Sequence, residues 1–295
     1  MNITVKLVHQ LITQQFPRWA HLSIKPVEVD GHDNRTFQLG TELLLRLPSA
    51  QCYAEVVEKE QAWLPVLAQH LFLEIPEPIA MGKPTQDYHY NWSIYRWING
   101  DSANVLSVYD LDFNNIALNL ARFLQELHQI NSIDGPVAGA CNFYRGGSLA
   151  IYNEEVLSAI DKLKENIEVD KVTKIWQKAM SSAWNKQPVW VHGDLSAGNI
   201  IIRNKKLVAV IDFGGIAIGD PACDLVIAWT FLTKESRDIF KLQLNLDNDT
   251  WNRARGWAVW KAMITLVSIE DKNSAQAIQQ FYIINEILNE HCLQL

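Results

Sequence analysis

Three polar side chains set among β-branched runs constrain this chain more than any other feature. Residues 189–202 read Val-Trp-Val-His-Gly-Asp-Leu-Ser-Ala-Gly-Asn-Ile-Ile-Ile, and residues 208–214 read Val-Ala-Val-Ile-Asp-Phe-Gly. A carboxylate at Asp194, an amide at Asn199 and a second carboxylate at Asp212 each stand at the edge of an apolar run. Short β-branched runs bounded by polar residues predict strands. One ends at Val191, a loop follows through Asn199, and then a hairpin pairs 200–202 with 207–211 across the polar turn Arg203-Asn204-Lys205-Lys206. The hairpin brings Asn199 and Asp212 to adjacent strand ends, where both can reach one magnesium ion. Asp194 stays in the loop, facing an acceptor hydroxyl. Those are the parts that phosphoryl transfer needs.

Three blocks carry a family resemblance: His192-Gly193-Asp194 with Asn199, then Ile211-Asp212-Phe213-Gly214, then Gly219-Asp220-Pro221-Ala222-Cys223-Asp224-Leu225. In order and spacing they resemble the signature of the aminoglycoside phosphotransferase family. The resemblance implies an α+β, bilobal protein-kinase-like fold, with a small antiparallel-sheet N-lobe over residues 1–97 and a larger, mainly helical C-lobe over 98–295. It implies Mg2+ as cofactor and ATP or GTP as co-substrate. In this reading Asp194 orients the acceptor and takes its proton, and Asn199 and Asp212 hold the metal. His192 braces the loop, and Asp224 buttresses it from the start of the following helix.

The rest of the chain fits such an enzyme. At 295 residues it is long enough for two lobes, each with its own core. A net charge of −7 argues against nucleic acid as a partner. The four cysteines, Cys52, Cys141, Cys223 and Cys292, form no Cys-x-x-Cys pair. Neither a zinc site nor a disulfide framework is expected, and a reducing cytoplasm is the expected setting. The first sixteen residues have the pattern of an amphipathic helix and not of a secretory signal. The most apolar stretch, near residues 225–232, is too short to span a membrane.

In the N-terminal part, 27–29, 35–39 and 42–47 are expected to form an antiparallel meander. Its first turn carries Gly31 over the nucleotide phosphates, without the Gly-x-Gly-x-x-Gly pattern of protein kinases. Arg46 takes the place of the phosphate-binding cation on the third strand, and its guanidinium can grip phosphate bidentately. Residues 51–67 have helical spacing. The family resemblance implies Glu60 on that helix as the ion-pair partner of Arg46, with Glu58 as the alternative. The strand ending near Tyr95, Arg96 and Trp97 is the expected hinge, where main-chain groups would meet the purine.

Further on, 110–129 has the periodicity of a long core helix, with His128 at its end a structural histidine. Helices are also expected over 153–163, 171–184 and 274–288. Asp247 and Asp249 are candidate contacts for substrate ammonium groups, yet no acid cluster stands out in the larger lobe. The acceptor is therefore left open among an aminoglycoside and a small metabolite such as choline, an amino sugar or homoserine. A non-catalytic nucleotide-binding protein would be expected to lack Asp194, Asn199 or Asp212, and all three are present. The Ala-Pro-Glu segment and activation loop of protein kinases are missing.

Overall fold

Leu43, Leu45 and Leu47 alternate along one strand with Leu44 and Arg46, so one face of that strand enters a core and the other looks out. The computed structural model describes residues 2–27 and 33–292, with side chains through 290. The alternating strand is β3 (Leu43–Pro48), the centre of a five-stranded antiparallel sheet with β1 (Ile24–Pro26), β2 (Asn34–Leu39), β4 (Pro78–Gly82) and β5 (Trp92–Arg96). The strand order is β1-β2-β3-β5-β4. A strand that the sequence did not mark forms at Ile24–Pro26, where Ile24 and Pro26 pair with Leu39 and Phe37, and most of the expected strand over 27–29 falls outside the described residues. Residues 28–32, with Gly31, lie outside the described residues.

Helix α1 (Val5–Gln15) is capped by the Thr4 hydroxyl, which accepts from the Leu7 N–H. It lays Val8, Leu11 and Ile12 on the leucine face of the sheet, against Phe37, Tyr88 and Trp92. Trp92 lies flat across Gly82, where a Cβ would come within 1.9 Å of its indole. On the opposite side runs α2 (Gln51–Leu67), whose Leu64 and Leu67 join a second and larger core together with Leu73, Ile75 and Tyr95. The small sheet is thus welded to the rest through α2. The segment after α2 adds a further tie: the Glu74 N–H donates to the Val208 carbonyl at 3.0 Å, and the Val210 N–H donates to the Glu74 carbonyl at 3.0 Å.

The remaining elements are β6 (Asp101–Ser102), α3 (Phe113–Gln129), α4 (Asn153–Lys162), α5 (Val169–Met180), β7 (Val189–Val191), β8 (Ile200–Arg203), β9 (Lys206–Val210), β10 (Ala217–Gly219), α6 (Ile227–Thr230), α7 (Lys234–Leu244), α8 (Asn248–Ser268) and α9 (Ala275–Cys292). The β8–β9 hairpin turns at Asn204 and Lys205, both left-handed (φ 53° and 64°), as a tight two-residue turn requires. Helix α5 ends at Met180, short of the expected Trp184, and Trp184 bonds locally to the Gln187 carbonyl. His128 has its Nε2 buried without a partner, and burial pushes its imidazole down to about 4, as befits a neutral core histidine. Among the described residues, no helix is long and apolar enough to cross a membrane.

Helix α8 is the axis of this half. It is buried on nearly every side, so its charged residues must be paired. Arg253 grips Asp220 at 2.6 Å, and Arg255 reaches Glu290 of α9 at 2.7 Å. Glu290 also takes Arg237 at 3.4 Å, Lys241, and the Trp229 indole N–H at 2.8 Å. Burial alone would raise the Glu290 carboxyl, but Lys241 and Arg255 outweigh it and hold it at about 2 against an ordinary 4.5. The folded value lies below the unfolded one, so this stabilisation is complete above about pH 4.5 and is lost as the pH falls toward 2. It amounts to about 3 kcal/mol. Urea melts of the wild type and Glu290→Gln should differ by that order at pH 6 and converge near pH 2.5. A constant gap across that range would exclude this account.

Candidate active site

Strand β7 delivers the chain into the 192–199 loop, and the loop is anchored from beneath. Asp224, with no exposed surface, accepts the His192 N–H and the Gly193 N–H, each at 2.7 Å. Its pKa is raised by burial, against the hydrogen bonds of those two amides. Gly193 is left-handed (φ +84°), and a Cβ there would stand 2.4 Å from the Gly215 carbonyl oxygen. The His192 ring accepts the Asp194 N–H at Nδ1 (3.2 Å) and donates from Nε2 to the Ile211 carbonyl (2.9 Å), with its edge against Phe213. That pairing ties the Asp194 loop to the strand before Asp212, and His192 braces the loop. The start of the following helix is capped by Asp220, which accepts the Ala222 N–H, while Asp224 holds the loop.

Asn199 closes the other end. Its side-chain amide donates to the Asp194 carbonyl oxygen at 2.8 Å and to the Asp194 carboxylate at 3.3 Å. Its own carbonyl accepts the Ile211 N–H at 2.8 Å, so Asn199 and Asp212 flank one backbone hydrogen bond. Asp212 follows in a left-handed conformation (φ 64°), a strained state for a residue with a side chain. Its carboxylate takes Arg46 Nη2 at 2.8 Å, while Arg46 Nη1 lies 3.3 Å from Glu60. The buried Glu60 in turn accepts the Tyr95 hydroxyl at 2.5 Å. Arg46 beside it holds the Asp212 carboxyl below its ordinary range. Burial raises Glu60, against the pull of Arg46.

Glu60, not Glu58, thus meets Arg46; Glu58 accepts the side-chain amide of Asn91 at the surface. Tyr95 supports Glu60 through its side chain. The hinge donors named from sequence are partly spent, because the Arg96 N–H goes to the Glu77 carbonyl and the Trp97 N–H to the Glu42 carbonyl. Asp247 is no free ammonium contact: it caps α8 through the Thr250 N–H and pairs with Lys186. Asp249 is exposed in the first turn of α8.

Three cations escaped the sequence reading. Lys59 of α2 donates to the Gly214 carbonyl at 2.7 Å and the Ile216 carbonyl at 3.2 Å, bolting the turn after Asp212 to the helix that carries Glu60. Lys261 of α8 lies 3.1 Å from the Asp194 carboxylate, and Arg145 lies 3.9 Å from the same oxygen. Burial would raise the Asp194 carboxyl, but Lys261 and then Arg145 hold it below its ordinary range. Spacing gave no signal for Arg145, in a glycine-rich loop, or for Lys261, 67 residues beyond Asp194.

Among the described residues no group of three or more His, Cys, Asp or Glu converges as a metal cage. The pair Asn199 and Asp212 offers one amide and one carboxylate, the latter with a side chain 45% exposed. Such a small all-oxygen set suits magnesium, which keeps waters and takes its remaining ligands from phosphates.

Residues 23–257 match the model of the phosphotransferase enzyme family, APH. The chain belongs to this family. An aminoglycoside 3'-phosphotransferase of Escherichia coli is 29% identical over 168 residues, 55% of this chain and 61% of the relative. The match thus spans less than two thirds of that protein's length. Among solved structures, the GDP and kanamycin complex of APH(2")-IIIa superposes with a TM-score of 0.68 at 21% identity, covering 97% of this chain and 98% of the other. Macrolide 2'-phosphotransferase type I superposes with a TM-score of 0.64 at 17% identity, covering 98% of each. The fold is the protein-kinase-like fold of these phosphotransferases.

Proposed function

We propose that the protein is a magnesium-dependent small-molecule kinase that moves the γ-phosphoryl group of ATP or GTP to an acceptor hydroxyl. The observation that carries this reading is that Asn199 links Asp194 to the strand before Asp212, with Asp212 itself reached by the Arg46–Glu60 pair. Asp194 orients the acceptor hydroxyl and takes its proton as the new O–P bond forms. The bond from the γ-phosphorus to the β-phosphate oxygen breaks, and nucleoside diphosphate leaves. Asn199 and Asp212 would hold magnesium, which supplies charge neutralisation to the phosphates. Arg46, kept in place by Glu60, would serve as a phosphate ligand.

In this reading residues 1–97 form the nucleotide lobe and 98–295 form the acceptor lobe. The purine meets the chain at the hinge through the carbonyls of 95–97 and the groups just beyond Trp97, where the two spent N–H donors leave off. A cytoplasmic setting provides the triphosphate. The relatives' names supply aminoglycosides and macrolides as acceptor classes to try.

The test is nucleoside diphosphate release by purified protein with magnesium, using ATP and GTP separately, against aminoglycosides, macrolides and small metabolic alcohols. Acceptor-dependent release that disappears in Asp212→Ala is the expected result. Nucleotide binding with no transfer to any acceptor, or transfer that survives in Asp212→Ala, would refute the proposal.

A further inference from the structure

The charges that face Asp194 are unusual for a site that would take a polycation. Lys261 reaches its carboxylate at 3.1 Å, and Arg145 stands 3.9 Å from the same oxygen, so one negative charge is met by two positive ones. The acids packed around these cations are engaged elsewhere. Glu155 accepts the Trp260 indole N–H at 2.6 Å, Asp220 is gripped by Arg253, and Asp224 holds the loop amides. Among the described residues, Asp194 is the acid within ion-pair distance of either cation.

The two cations are also built into place. Arg145 lies over the rings of Trp260 and Trp257, 5.2 Å and 5.8 Å from their centroids, and donates to the Gly193 carbonyl at 3.0 Å. Its Nε is buried without a partner, so the guanidinium fork has donors in reserve. Tyr152 stacks on Trp260 at 4.0 Å and donates its hydroxyl to the Phe143 carbonyl. Phe143 and Tyr144, just before Arg145, are both left-handed (φ 53° and 51°), a strain that the Asn142 and Tyr152 hydrogen bonds maintain. Lys261 sits on the largely buried helix α8, one residue after Trp260, with its side chain partly exposed and one of its three donors on Asp194.

We infer that the acceptor carries an anionic group, a carboxylate or a phosphate, close to its reacting hydroxyl, and that Lys261 and Arg145 hold that group beside Asp194. The inference rests on the phosphoryl-transfer reading above and adds the substrate class. An ammonium at this place would face two cations, and Asp194, the acid nearest to it, is already shared between them. An anion completes the pairing that Asp194 alone leaves unfinished.

The experiment compares acceptors on one scaffold: a neutral hexose, the hexosamine, the hexuronate and the hexose phosphate, with kanamycin as the polycation. Product is read by phosphorus NMR with magnesium and either triphosphate, and acceptor-free nucleotide hydrolysis reports whether the transfer centre is competent. The expected result is kcat/KM for the hexuronate or the hexose phosphate about 10–10²-fold above the neutral sugar, and lowest for the hexosamine and kanamycin. Which of the two anions leads separates carboxylate from phosphate. Lys261→Gln should cut the anion-to-neutral ratio by about the same factor, mainly through KM, while Lys261→Arg retains most of it. Preference for the hexosamine or kanamycin, no preference, an unchanged ratio in Lys261→Gln, or a competent centre that uses neither anion would each overturn the inference. A protein that neither binds nor hydrolyses nucleotide would overturn the phosphoryl-transfer reading itself, and the inference with it.

Discussion

Asp194→Ala should lower turnover by about 10²–10⁴-fold, the range expected for a positioned proton acceptor, and should leave nucleotide affinity within a few-fold of wild type. The separation follows from who touches whom. The Asp194 carboxylate meets Lys261, Arg145 and the Asn199 amide, whereas the Arg46–Glu60–Tyr95 group meets Asp212. The alanine keeps the backbone carbonyl that accepts Asn199 at 2.8 Å, so the loop remains tied. Lys261, 37% exposed, can turn its freed ammonium to water, and little stability is lost. Asp194→Asn preserves shape and removes the charge and the proton acceptor. It should therefore lose nearly as much turnover as the alanine. Calorimetric nucleotide titration beside steady-state kcat measures both halves. Nucleotide affinity falling in step with kcat would remove Asp194 from the role assigned to it.

What the sequence disclosed, and what it hid, divides along the range of the interactions. The β8–β9 hairpin was legible because its determinants are local: β-branched runs, a polar turn, and functional residues at the strand ends. The Arg46–Glu60 pair, which the structure contains, was reached from the resemblance and from the helical spacing of α2, since a β3 side chain alternating outward can meet only the helix covering that face. Strand β1 gave no local signal, because its register is set by pairing with β2, which local propensity does not encode. Helix α8 concealed most. Buried all round, it has no polar face to mark which residue looks into the cleft, so Lys261 could not be told from Arg253 and Arg255, which face partners within the core. Asp220 and Asp247 show the same limit for acids. Each could have been a ligand by type, and each is consumed as a helix cap and ion-pair partner.

The largest loss of stability is expected at Asp224. Alanine there strands two buried backbone donors, the N–H groups of His192 and Gly193, each of which now meets a carboxylate oxygen at 2.7 Å. An unmet buried donor costs about 1–3 kcal/mol, so the pair amounts to about 4 kcal/mol, or a fall of about 10 °C in melting temperature for a chain of this size. Asp224→Asn keeps one acceptor oxygen and turns an NH2 toward the second amide, and should lie between wild type and alanine. Turnover should fall further than stability alone explains. Gly193 is held in a left-handed turn where a Cβ would stand 2.4 Å from the Gly215 carbonyl oxygen, and His192 passes that position on to the Asp194 N–H and the Ile211 carbonyl. Once the two amides lose their acceptor, the loop can relax at Gly193, and Asp194 and Asp212 cease to share one frame. The discriminating measurement is kcat of the Asn variant well below its melting temperature. Wild-type turnover there would reduce Asp224 to a packing residue, and a loss of tenfold or more would make it the residue that sets the geometry of the catalytic loop.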